Sequence, residues 1–191
     1  RIEAAGVPAA AVVELDLRDP AAGDRLVAAV AEQGGRLDGL VNAAGVVAFG
    51  ELVDTEDAVI EELFLTDVVG PLWLLRRIVP LLAEAKGFVV NLSAVVAEQP
   101  MAGMAAYSAA KAALTAADTA LARELRRKGI TVCDVRPPHT ETGLADRPIA
   151  GSAPRLKEGL APAAVAAAVV AAVTSGATEV PAASFPAPGG T

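Results

Sequence analysis

Four short apolar runs recur along this chain: AAAVVEL at 9–15, LDGLVN at 37–42, FVVNL at 88–92 and ITVCDV at 130–135, with helix-length segments between them. Runs this short and this continuously apolar read as parallel strands buried on both faces, because a strand with one wet face would alternate. Pro20 opens a helix over 21–33, where proline is tolerated, and the Gly34-Gly35 pair ends it. Strand, helix and strand in that order form a right-handed βαβ unit. The fold class is therefore α/β, a parallel sheet flanked by helices.

The remaining segments follow the same alternation. Residues 55–85 read as helical, with Thr55 as the N-cap and acidic residues in the first turn. Gly70 and Pro71 mark a kink or a boundary inside that stretch, and Pro80 lies further along it. After strand 88–92 the loop 93–103 leads to a helix over 104–128. Its closing Arg126, Arg127 and Lys128 offset the helix dipole and need no basic-patch explanation. Pro137-Pro138 ends the fourth strand. Residues 136–160 lack periodicity, and a loop that long in a compact domain is usually functional. An alanine-rich helix at 162–174 and a short strand at 178–180 complete a single domain over 1–180, and the tail 181–191 reads as disordered.

Composition narrows the possible roles. With 53% apolar residues but only 3% aromatics, the core is built from Ala, Val and Leu. A net charge of −7 argues against nucleic acid as a partner. The single cysteine, Cys133, reads as a buried strand residue; it excludes an internal disulfide and any multi-cysteine metal site, which fits a reducing cytoplasm. No uninterrupted apolar run reaches 18 residues, so no membrane span is expected. The chain begins at Arg1 and reads as if it starts inside an element.

Chemistry concentrates in 91–111, NLSAVVAEQPMAGMAAYSAAK. Tyr107 and Lys111 are four residues apart, which on a helix stacks them on one face. A cation beside a phenol favours the phenolate and lowers its pKa from the usual value of about 10 towards the range useful for proton transfer. The same spacing also occurs on plain solvated faces. Its setting favours chemistry, since open α/β sheets bind ligands where strands give way to loops and helices.

Read together, Asn42-Ala43-Ala44-Gly45 after a strand, YSAAK at 107–111 and RPPHTET at 136–142 resemble the short-chain dehydrogenase/reductase family. The resemblance covers almost the whole chain and implies a Rossmann-type doubly wound sheet and hydride transfer between NAD or NADP and a small-to-medium carbonyl or alcohol. By that resemblance Tyr107 is the general acid or base, and Lys111 lowers its pKa and binds the nicotinamide ribose. Asp16 contacts the adenine, Asn42, Ala43, Ala44 and Gly45 line the cofactor, and Pro137 and Thr142 belong to its nicotinamide side. Asp16 also fits a plain strand-end cap, and the NAAG turn a purely structural one.

Four departures accompany the resemblance. The glycine-rich phosphate turn is absent, so the first βαβ segment is expected to be missing, and with it the residue choosing between NAD and NADP. The family's catalytic serine position holds Ala94, with Ser93 one residue earlier, and a one-residue step on a strand flips a side chain to the other face. The asparagine that supports a proton-relay water is Asp67. The usual Pro-Gly is Pro137-Pro138, followed by His139, which either touches ligand or anchors the loop. The expected protein is a cytoplasmic NAD(P)-dependent oxidoreductase. Small and apolar residues on the two long helices point to a homodimer or homotetramer. The alternatives are a catalytically weak nucleotide-binding sensor or scaffold, and a fragment inactive alone.

Overall fold

A computed structural model describes residues 12–186. Four parallel strands, β1 (Gly39–Asn42), β2 (Phe88–Leu92), β3 (Thr131–Val135) and β4 (Glu179–Val180), lie side by side in the order β1-β2-β3-β4. The helix α1 (Ala22–Glu32) precedes β1, and those between the strands are α2 (Asp57–Phe64), α3 (Gly70–Ala85), α4 (Ala105–Leu125) and α5 (Pro162–Ser175). No helix among the described residues is long and apolar enough to cross a membrane.

Strand alternation divides the core. Val89 and Val132 face α3 and α4, where Leu74, Leu75, Ile78, Leu82 and Leu125 close a fully buried cluster with α1 behind it. Val90, Cys133 and Val135 face α5 and pack on Val165, Ala172 and Phe185. The loops after β1 and β2 and residues 144–153 meet above the carboxyl end of the sheet in a third cluster containing Val47, Phe49, Leu63, Val96 and Tyr107. This is where an open parallel sheet places its ligands.

The structure differs from the sequence reading in four places. Residues 12–15 of the first apolar run form no strand, and Val12 is 96% exposed; the rest of that run lies outside the described residues. In the doubly wound order two strands lie between this one and β1, and neither is among the described residues, so its described part has no strand to pair with. Thr55 does not cap α2; Glu56 holds the cap position, and the Thr55 hydroxyl donates to the Glu51 carbonyl at 2.9 Å. The helix over 55–85 does divide at Gly70, where α3 begins with Pro71 in its first turn, but an unforeseen π-helical turn, Leu65–Val69, precedes that boundary. The tail begins ordered: Ala182–Ser184 form a 3-10 turn and Phe185 is 8% exposed against β3 and α5.

Candidate active site

Tyr107 lies in the first turn of α4 and Lys111 one turn on, both buried at 7% and 4% exposure. The Lys111 ammonium is 5.7 Å from the centre of the Tyr107 ring. It donates to the Leu92 carbonyl at 3.4 Å and stands 3.4 Å from Asp67 Oδ2. Asp67 projects from the π-helical turn, whose extra residue redirects side chains and which recurs at functional sites. Its Oδ1 accepts the Val46 N–H at 2.9 Å, tying the turn after β1 to the pair.

Gly45 is what lets that turn approach. A Cβ there would lie 3.1 Å from Asp67 Oδ1 and 3.2 Å from Lys111 Nζ, tighter than most real contacts. The exposed Ala43 and Ala44 precede it. A cationic donor and a turn of small residues, exposed at Ala43 and Ala44, fit the nicotinamide and ribose end of a dinucleotide. The phosphate end has no counterpart, since the sequence holds no glycine-rich phosphate loop.

The electrostatics depart from the expectation that Lys111 lowers the Tyr107 pKa. Burial, and then the Asp67 charge, push the phenol above its ordinary range. Asp67 is itself pushed up by burial, against the pull of Lys111 and the Val46 N–H. The cation meets a carboxylate at 3.4 Å before it meets the phenol.

Ser93 is not brought to this group. It lies two residues after Asn91, and its buried hydroxyl donates to Asp134 on β3, with the Val135 carbonyl 3.3 Å away. Ala94 instead packs against the cluster that contains Tyr107. Asn42 is buried and donates to Asn91 Oδ1 at 3.1 Å. Pro137 contributes its carbonyl, which accepts the Val95 N–H at 3.0 Å. Thr142 is exposed. Asp16 is exposed and held by Arg18, which lowers its pKa to about 2 through side-chain and backbone hydrogen bonds.

Sequence reasoning missed a polar row across the sheet, buried at Asn42, Asn91 and Asp134 and exposed at Glu179. Asn42, Asn91, Asp134 and Glu179 are cross-strand partners at one register. Asn91 donates to Asp118 of α4 at 2.5 Å, and Arg136 joins Asp134 (3.0 Å), Glu179 (2.7 Å) and Glu98 (2.5 Å). Asp118 is 2% exposed, its Oδ2 has no partner, and burial with help from Asp134 pushes it up to about 7. The available signal was an acid between Cys133 and Val135 in an otherwise apolar strand.

Residues 140–160 cover the site. Phe49 N–H donates to the Ala150 carbonyl at 3.0 Å and Ile149 N–H to the Val47 carbonyl at 2.9 Å. The space beside Tyr107, lined by Ala48, Phe49, Leu63 and Met104, is about 10 Å³, too small for a substrate. A larger cavity of about 360 Å³ runs along the covering segment past His139, Asp146, Leu156 and Lys157, and includes neither Tyr107 nor Lys111. His139 lies 3.3 Å from Glu141 there.

The family model of the short chain dehydrogenases matches residues 1–150. A short-chain dehydrogenase from Streptomyces avermitilis superposes with a TM-score of 0.78 at 31% identity, over 88% of this chain and 69% of that one. A ketoacyl reductase of a Nostoc species is 31% identical over 94% of this chain and 62% of its own length. An uncharacterized NAD-dependent oxidoreductase of Mycobacterium tuberculosis is 36% identical over 70% of this chain and 49% of its own. The chain thus spans about half to three fifths of the curated relatives it matches. With relatives at this identity, and a family model running through the NAAG turn, the tyrosine and the lysine, the chain belongs to the short-chain dehydrogenase family.

Proposed function

We propose that this chain is the catalytic part of an NAD- or NADP-dependent oxidoreductase in which Tyr107 carries the proton. The observation that carries this reading is the buried Tyr107 and Lys111 on one face of α4, against a turn whose Gly45 comes close to Lys111 and Asp67. The nicotinamide, when bound, supplies or accepts the hydride. Lys111 and the backbone of residues 42–45 would hold its ribose end, with Thr142 and Pro137 on the carboxamide side and Asp16 towards the adenine. In reduction the Tyr107 hydroxyl gives its proton to the substrate oxygen as that oxygen gains the carbonyl electron pair; in oxidation the phenolate takes the alcohol proton. Asp67 orients Lys111 and the turn.

Val47, Phe49, Leu63, Met104, Leu144 and Ile149 surround the tyrosine with apolar surface, which supports a small-to-medium apolar carbonyl or alcohol as substrate. Entry requires the covering segment to move, since the space beside Tyr107 is nearly filled. We place the protein in the cytoplasm as a homodimer or homotetramer; light scattering showing a monomer at micromolar concentration would contradict the latter. A panel of carbonyls with NADH and NADPH, using the protein at its natural length, tests the activity.

One observation favours a second reading. The hydroxyl nearest the family's serine position is held by Asp134, and Ala94 faces the tyrosine cluster. Losing one such donor costs about 10² to 10³ in rate, which would leave a nucleotide-binding sensor or scaffold. Calorimetric cofactor binding without turnover on any carbonyl would select it.

A further inference from the structure

Asp67 sets a buried carboxyl group against the Lys111 ammonium that supports Tyr107. The carboxylate is 1% exposed, and its position is fixed on one side by the Val46 N–H at 2.9 Å. Its other oxygen faces the Lys111 ammonium at 3.4 Å without an aligned hydrogen-bond donor. Gly45 lies close to both groups, since a Cβ there would be 3.1 Å from Asp67 Oδ1 and 3.2 Å from Lys111 Nζ. The ammonium is nearer to the carboxylate than to the phenol ring, whose centre is 5.7 Å off. At such ranges in a buried site, a charge moves a neighbour's pKa by about 1 to 3.

The other elements packed around Tyr107 add nothing comparable. The turn and loop from Asn42 to Phe49 carry no charge. Glu98, beyond β2, is bound to Arg136. On α2 Asp57 and Glu61 are exposed and Glu62 pairs with Arg18, and on the covering segment Asp146 and Arg147 are exposed. On α4 itself the charged group within reach is Lys111.

We propose that Asp67 is a positioning residue that neutralises Lys111 and holds Tyr107 as a neutral phenol, so that the site is set to give up a proton rather than to take one. Burial of the phenol works in the same direction. The consequence for catalysis, an alcohol-oxidation limb displaced to higher pH, rests on the proposed role of Tyr107 in proton transfer. The charge relation itself does not, and it can be read without turnover.

Tyr107 is the single tyrosine of the chain, so tyrosinate absorbance reports it alone. The 191-residue chain is titrated with alkali while circular dichroism follows its helices. In the wild type the tyrosinate signal is expected beyond the ordinary phenol pKa of about 10, rising only as helix is lost. In Asp67→Asn it is expected at least about one pH unit lower, ahead of unfolding, because the amide frees the Lys111 charge. A wild-type midpoint at or below about 10 in folded protein, or the same midpoint in both, overturns the proposal. Should Asp67→Asn not fold, Asp67→Ser replaces it, and the wild-type titration still decides. With the natural-length protein, the pH profile of alcohol oxidation should shift down with the tyrosinate midpoint. A shifted midpoint beside an unmoved profile upholds the charge relation and counts against Tyr107 as the proton carrier.

Discussion

Asp118 makes the stability of this chain depend on pH in an unusual direction. Its carboxyl is 2% exposed, accepts one hydrogen bond from Asn91 and leaves Oδ2 without a partner. Burial, with Asp134 adding repulsion, raises it from 3.8 to about 7, against the pull of Asn91. A carboxyl whose folded pKa lies above its unfolded value binds its proton more tightly when folded. Its neutral form therefore costs nothing at low pH, and stability falls as pH rises from about 4 through about 7, then levels. The full move corresponds to about 4 kcal/mol. Asp118→Asn keeps the acceptor for Asn91 and removes the charge, but puts an N–H₂ where Oδ2 lacks a partner, at about 1 to 3 kcal/mol. The variant should be more stable than wild type by about 1 to 3 kcal/mol at pH 8, or several degrees in Tm, and equal or weaker at pH 5. Urea unfolding between these pH values, followed by the single Trp73, measures it. Comparing the two proteins cancels groups common to both, and parallel stability-pH curves would refute the reasoning.

Three further outcomes follow from the same geometry. Ser93→Ala removes the hydroxyl that Asp134 accepts and should cost about 1 to 3 kcal/mol in urea unfolding; a loss of turnover near 10²-fold at unchanged stability would instead put Ser93 in the reaction. Gly151 has φ +70°, and a Cβ there would lie 1.8 Å from the Phe49 carbonyl oxygen, so Gly151→Ala should detach the covering segment and speed its proteolytic cleavage; an unchanged cleavage pattern would contradict the strap. Gly45→Ala would crowd the Asp67 and Lys111 pair and should weaken cofactor binding by the natural-length protein at least about tenfold, equivalent to about 1.4 kcal/mol, as read by calorimetry.

Much of the frame was legible because local rules agreed with the tertiary outcome. FVVNL became β2 at the expected residues, and the span from 104 to 128 became α4 with a closing 3-10 turn. The four-residue spacing did place Tyr107 and Lys111 on one buried face. What was illegible depended on partners distant in sequence. The run at 9–15 has strand composition, but no neighbouring strand stands beside its described part. The π-helical turn at Leu65–Val69 is spelled by no Gly or Pro within it, and its buried Asp67 does not by itself specify an extra residue in the turn. The side on which Ser93 falls was decided by strand alternation from Asn91 and by Asp134, a residue 41 positions away. The expectation that Lys111 would lower the phenol's pKa failed because helical spacing does not reveal how deeply the phenol is buried, which raises its pKa most, with the Asp67 charge adding to it.

The central claim is that Tyr107 carries the proton in a nicotinamide-dependent reaction. Its most direct measurement is the single-turnover rate of hydride transfer to a carbonyl substrate, with the natural-length protein and its Tyr107→Phe variant, at matched cofactor occupancy. Phenylalanine keeps the ring in the apolar cluster and removes only the hydroxyl, so folding and cofactor binding should survive. The rate should fall by about 10² to 10⁴. A variant that transfers hydride at the wild-type rate would contradict it.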